Sequence, residues 1–218
     1  MPPVTPPQPG SNRPRSARGH GVELRDDLLH AAMGLLSVAG DPEDVSIRAV
    51  AKAAGVSPTA AYRHFTDRDA LIEAACNHCF GDFAAHVQDA AADATDPFDA
   101  LERAARAYVA YAEQDQGIYR VLFSNPLHLD RNWSDLGSPG RTAFNLLIEM
   151  IEACLEAGAP ATGPGGELPA DAAYLAFQAW TWLHGLVDLR ITHASMPWPD
   201  MELMLGDLAR TLGLSRPI

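Results

Sequence analysis

The stretch AAGVSPTAAYRHFTDRD, residues 53–69, decides how this 218-residue chain is read. Gly55 lets the backbone turn with positive φ, Ser57 can cap a helix, and Pro58 stands at the first helical position, where a missing N–H costs nothing. Just upstream, Ser46 caps a short helix carrying Ile47, Val50, Ala51 and Ala54, closed by Gly55. Before that, Leu24, Leu28, Ala32, Leu35 and Leu36, with Ala39, recur at three- and four-residue spacing and predict an amphipathic helix ending near Gly40. Two short helices joined by a glycine-containing turn and braced by a longer one make a helix-turn-helix. Ile47, Val50, Val56 and Phe65 supply its core, and Ala51 and Ala54 are small enough for close crossing.

That packing leaves Thr59, Ala60 and Arg63 on the outer face of the third helix, flanked by Tyr62 and His64. Small residues early in a helix let its N-terminal end sink into the major groove of double-stranded DNA. There Thr59 and Ala60 can meet thymine methyls, and Arg63 a guanine edge or a phosphate. Tyr62 and His64 are placed to donate to phosphates, which position a protein rather than specify a sequence.

The charge distribution agrees with DNA at one end. The chain carries a formal charge of -12, yet residues 1–68 hold eight Lys/Arg against seven Asp/Glu, and the other two thirds hold all the excess acid. A polyanion can approach the first third and is repelled by the rest. The composition, 47% apolar and 20% charged, is that of an ordinary globular protein. No apolar run spans a membrane and no secretory signal is visible, so a cytoplasmic address is expected. Cys76, Cys79 and Cys154 make no disulfide framework.

The segment SIRAVAKAAGVSPTAAYRHFTDRDAL, residues 46–71, resembles the DNA-binding signature of TetR-family regulators. The shared elements are the cap, the A-x-x-A-G-V-S run, Tyr-x-His-Phe, and a basic residue three positions before a leucine. The resemblance implies phosphate contacts for Ser46, Tyr62, His64 and Arg68, and base or groove contacts for Arg48, Ser57, Thr59, Ala60 and Arg63. Pro58 and Ala61 depart from the family pattern, which often has a basic residue and a leucine there. It further implies a homodimer on a pseudo-palindromic operator, released by a small-molecule effector bound in the C-terminal helices. AWTWLHGLVDL, residues 179–189, is similar to the Trp-x-x-x-His-Gly pattern of the WHG subgroup through Trp180, His184 and Gly185.

No segment alternates with period two, so the fold class is all-α, about nine helices. Residues 1–21, with six prolines, three glycines and Arg13, Arg15 and Arg18, read as a disordered basic arm that either touches DNA or is a plain solvated tail. Residues 22–68 form the helix-turn-helix domain and 69–218 the ligand-binding and dimerisation domain. Thr66 or Asp67 caps a long fourth helix through Phe83 and Val87. It is the one element traceable from sequence that touches both regions, and so a candidate lever. Further helices are expected from Pro97, over Gly117 to Phe123, over Arg141 to Ala157, over Asp171 to Thr192 and over Pro199 to Leu212. Residues 124–140 and 158–170 read as connectors.

Tyr108, Tyr111, Phe123, Phe144, Trp180 and His184 are the candidate ligand-binding residues, with Tyr119 and Trp133 also on the middle helices and their loop. At helical spacing such aromatics are more often plain core. His184 is either part of a polar rim or a buried imidazole satisfied by Asp188 or a backbone carbonyl. The helix over 171–192 is apolar all round and must be covered on every side, which places Trp182 and Leu186 in a dimer seam with Met201, Met204, Leu205 and Leu208 of the last helix. The carboxylate excess suggests a cationic or neutral effector. Cys76 and Cys79, one turn apart, either read a metal or thiol-redox signal or pack as small apolar groups. No resident metal and no cofactor is expected. No nucleophile elbow, phosphate loop or dinucleotide fingerprint appears, so the chain does not read as an enzyme.

Overall fold

A computed structural model describes residues 20–123, 138–160 and 171–216, with side chains from residue 23. The expected arm over 1–21 and Trp133 fall outside the described side chains. Among the described residues there is no strand, and nine α-helices run in order. They are α1 (His20–Ala39), α2 (Ile47–Ala53), α3 (Pro58–Ala61), α4 (Arg68–Ala91), α5 (Pro97–Gln114), α6 (Gln116–Phe123), α7 (Pro139–Glu156), α8 (Ala172–Thr192) and α9 (Met201–Thr211).

Most starts after α1 are written in a short polar side chain that accepts from an N–H of the first turn. Ser46 accepts from Ala49 N and Ser57 from Ala60 N, both at 3.2 Å, and Asp67 takes Ala70 N at 2.7 Å. Asp67, not Thr66, is thus the cap of α4. Asp96, Ser138, Asp171 and Asp200 do the same for α5, α7, α8 and α9. Ser138 moves the start of α7 to Pro139, two residues before the expected Arg141.

One connected apolar core runs from Leu28 to Leu214. The expected domain boundary at 68/69 falls on the first residue of α4, and packing continues across it through Leu71, Ile72 and Ala75, all buried. α4 packs on α1, α5, α6 and α7, so it joins the two regions as expected. It is not alone in this. α6 also docks directly on α1.

The α1–α6 joint is unusually close. A Cβ on Gly117 would lie 1.7 Å from the backbone oxygen of Ser37, so only glycine fits. The Ser37 hydroxyl donates to both carboxylate oxygens of Asp115, at 2.9 and 2.8 Å. Asp115 in turn accepts from Ile118 N at 2.9 Å, which fixes the first turn of α6 to the last turn of α1.

Candidate nucleic-acid interface and cavity

The N-terminal head is built around α2 and α3. Ile47, Val50, Ala51, Ala61 and Phe65 are buried beneath them, and the Arg25 guanidinium of α1 lies 5.2 Å over the Phe65 ring. Between the helices Gly55 takes φ 69°, which lets Val56 N reach back to Ala51 O at 2.9 Å. α3 is four residues long and then tightens, Arg63 N donating to Ala60 O and His64 N to Ala61 O.

This arrangement turns the expected contact residues outward. Ser46, Arg48, Ser57, Thr59, Tyr62 and Arg63 are exposed, and Ala60 and His64 half-buried. The Ser46 and Ser57 oxygens already accept from helix N–H groups, so each offers its own hydroxyl proton outward. Among the described residues no ion pair engages Arg48, Lys52 or Arg63. These three cations and a phenol are thus exposed on the two helices that flank the Gly55 turn.

Arg68 is a correction. The resemblance implied a phosphate contact, but its Nε donates to Val45 O at 2.8 Å and its Nη2 to Pro42 O, while Nη1 pairs with Asp69 at 2.9 Å. It clamps a 3-10 turn over Pro42–Asp44 that leads into α2, an element not expected from the sequence. The guanidinium is committed to the head's own backbone.

The acidic part encloses a cavity of about 460 Å³ between α4, α5, α6, α7, α8, α9 and the C-terminal segment. Phe83, Leu101, Leu147, Leu183 and Leu205 are among the carbon-rich side chains of its wall. Of the six candidate ligand residues, Tyr108, Phe123, Phe144 and Trp180 line it. Tyr111 does not; its ring packs on Phe83 and His86 at 5.3 and 5.7 Å between centroids. The charged lining groups are Glu102, Arg210 and Arg216, which does not favour the cation suggested by the overall acidity.

His184 stands behind this wall. Its Nδ1 is 2.9 Å from Tyr108 Oη and 2.7 Å from Tyr119 Oη, and its ring lies between Phe123 and Trp180 at 4.8 and 4.7 Å. The partner is a pair of phenols, not Asp188 or a backbone carbonyl. Burial lowers the imidazole pKa to about 4, so it is neutral near pH 7. Burial likewise pushes Tyr119 up to about 12 and Tyr108 well above its ordinary range, which keeps both phenols protonated near pH 7. Tyr119 sits on α6, so the cluster ties the cavity wall to the helix that docks on α1.

The seam residues divide. Leu186, Leu205 and Leu208 are buried in the protomer itself, and Leu205 and Leu208 line the cavity. α8 has apolar residues on every side and α9 a single apolar stripe, and the sequence does not say whether these faces meet the protomer's own core or a partner. Trp182, Met201 and Met204 are half-buried. The exposed side of α8 instead carries Tyr174, Phe177, Thr181, Gly185 and Leu189, all within one face at helical spacing, with Leu203 exposed on α9.

Cys76 and Cys79 are buried at 1% exposure, and burial raises both thiols to about 12. Among the described residues no cluster of His, Cys, Asp and Glu could hold a metal ion. The geometry suits packing and gives the metal or thiol-sensing alternative no footing. Among the described residues no helix is long and apolar enough to cross a membrane.

Two family models match the chain. Residues 28–75 match the bacterial regulatory proteins of the tetR family, and residues 101–210 the tetracyclin repressor-like C-terminal domain. None of the curated proteins compared with the chain matches it. Among solved structures, the fatty acid degradation regulator FadR from Bacillus halodurans superposes with a TM-score of 0.66 at 18% identity, over 91% of this chain and 96% of that one. A TetR family transcription regulator from Marinobacter aquaeolei VT8 gives 0.62 at 16%, over 91% and 97%. FadR from Bacillus subtilis, in complex with stearoyl-CoA, gives 0.66 at 12%, over 86% and 96%. At these identities the likeness is one of fold. The two matched models cover both the DNA-binding head and the helices around the cavity, and by them this chain belongs to the TetR family of DNA-binding transcription regulators.

Proposed function

We propose that the protein is a homodimeric repressor that holds a pseudo-palindromic operator through α3 and releases it when a small molecule enters the cavity. The observation that carries this reading is α6. The helix supplies Phe123 to the cavity wall and Tyr119 to the His184 cluster, and its other end locks onto α1 through Gly117, Ser37 and Asp115. A ligand that displaces Phe123 or Tyr108 pushes a helix with no slack at its far end, and α1 moves with it. α4, the expected lever, runs beside α6 and shares the load. Its 24 residues reach about 36 Å, comparable to the ~34–36 Å between half-sites one helical turn apart.

In this reading Thr59, Ala60 and Arg63, with Arg48 and Ser57, meet base edges or the groove, and Ser46, Tyr62 and His64 meet backbone. Residues 22–68 act as the reading head and 69–218 as the sensing and pairing part. The exposed face of α8 with Leu203 forms the two-fold seam, since two copies of Tyr174, Phe177 and Leu189 would cover one another. DNA retained by the protein, placed between a promoter and a reporter gene, tests the sign of regulation. Reporter output falls when the protein is made if it represses; unchanged or raised output contradicts repression.

A further inference from the structure

The cavity has a direction. Its α5 wall runs from Phe98 to Tyr108 and its α7 wall from Gly140 to Met150, each eleven residues and so about 15 Å of helix. The Tyr108 end is aromatic and its polar atoms are already paired within the Tyr108, Tyr119 and His184 cluster. The charged lining groups stand elsewhere. Glu102 comes from the early turns of α5, and Arg210 and Arg216 come from the end of α9 and the C-terminal segment, which Leu212 and Leu214 anchor in the core.

Arg216 closes this end against the start of α5. Its Nη2 donates to both Asp96 oxygens at 3.0 and 3.3 Å, and its Nε to one at 3.2 Å. Asp96 cannot follow if the guanidinium turns away, because it caps α5 by accepting from Asp99 N at 2.9 Å. The Arg216 side chain is 57% exposed and its ion pair lies in water, where such pairs are weak and exchangeable. Arg210, 65% exposed, is held among the described residues by Asp207 one turn away and by the Gly206 carbonyl. Glu102 is occupied by Arg106. Two exposed arginines thus border a slot whose lining is otherwise carbon-rich apart from Ser215 and the paired Glu102, and a planar anion can take both donors of either guanidinium.

We propose that the cavity takes an anionic amphiphile, its unbranched apolar tail lying along α5 and its head held at the rim by Arg216 and Arg210. This deepens the reading of the cavity as the effector site and rests on it. Calorimetric titration of the full chain with octanoate, decanoate and dodecanoate, then dodecanol and dodecylamine, each below its aggregation concentration, tests both. The expected result is one site per protomer, affinity that rises with tail length, and dodecanoate bound about tenfold tighter than dodecanol, the factor one charge-assisted contact of about 1.4 kcal/mol gives. Arg216→Gln, a surface change that leaves the core intact, should reduce that preference to about threefold or less while keeping the tail-length trend. Equal affinity for dodecanoate and dodecanol, tightest binding of dodecylamine, or an unchanged preference in Arg216→Gln would overturn the head assignment and leave the cavity standing. No saturable binding of any of the five would overturn the cavity as an effector site as well.

Discussion

Gly117→Ala is the sharpest perturbation the fold offers. An added Cβ would sit 1.7 Å from Ser37 O, 2.6 Å from its carbonyl carbon and 2.9 Å from its Cα. These are backbone atoms of a packed helix, so no side chain can swing aside. Restoring ordinary contact separates α6 from α1 by roughly 1.5 Å, an overpacking cost of about 1–3 kcal/mol. The same movement stretches the Ser37–Asp115 hydrogen bonds beyond reach, and hydrogen bonds to a carboxylate contribute about 1.5–3 kcal/mol. Alanine's better helix propensity returns about 1 kcal/mol. The net expectation is a loss of about 2–4 kcal/mol in urea unfolding. Gly34→Ala and Gly81→Ala are the matched controls, because nothing lies within 4 Å of a Cβ at either site and both are helical. Each should stabilise by about 0.5–1 kcal/mol. If Gly117→Ala matched its controls, the close α1–α6 joint, and with it the transmission route, would be refuted.

His184→Gln tests the buried imidazole. With the folded pKa near 4 and an ordinary unfolded value near 6.5, the unfolded chain binds more protons between these values. Stability should therefore fall as pH drops from 6.5 to 4, by about 2–3 kcal/mol more in the parent protein than in the variant; parallel curves would contradict it. The three cysteines should react with a disulfide reagent at pH 8 only as fast as the protein opens, because burial holds Cys76 and Cys79 near 12 and Cys154 near 11. Rapid labelling of native protein would reopen the thiol-sensing alternative. Arg68→Ala should cost about 2–3 kcal/mol by releasing the Val45 and Pro42 carbonyls. Tyr62→Phe should change stability by less than about 0.5 kcal/mol yet weaken DNA binding several-fold on any sequence. An Arg68→Ala protein of normal stability would return that arginine to the phosphate list.

Much of this was legible because its causes are local. Ser46, Ser57 and Asp67 stand next to the N–H groups they accept from, and the Gly55 turn and Pro58 start announce themselves within five residues. The apolar spacing of α1 and the capped start of α5 are equally short-range signals. What stayed hidden acts across the chain. Gly117 meets Ser37 eighty positions away, and a glycine early in a short helix carries no mark of what it touches. Asp115 drew no notice in the sequence, although an acid two positions before that glycine was a hint of a cap. Arg68 looked like one more cation of the head because its partners are backbone carbonyls, which a sequence does not display. The facing of α8 and α9 failed for another reason. The apolar residues of α8 surround the helix, so periodicity does not separate Leu186, turned inward, from Leu189, turned out; on α9 the spacing does set Leu205 and Leu208 opposite Leu203, and leaves open only whether that stripe meets its own core or a partner.

The central claim is that α3 reads DNA and that two copies read it together. Selection of bound DNA from a random double-stranded pool by the full chain tests this most directly, at a stated and moderate salt concentration because phosphate contacts are screened. The account predicts enrichment of an inverted repeat whose half-sites lie about one helical turn, or a small multiple, apart. Thr59→Ala or Arg63→Ala should shift the enriched bases, and Tyr62→Phe should lower recovery without changing them. Recovery of the input pool with no enriched sequence, or of a single unrepeated site unaffected by Thr59 and Arg63, would contradict it.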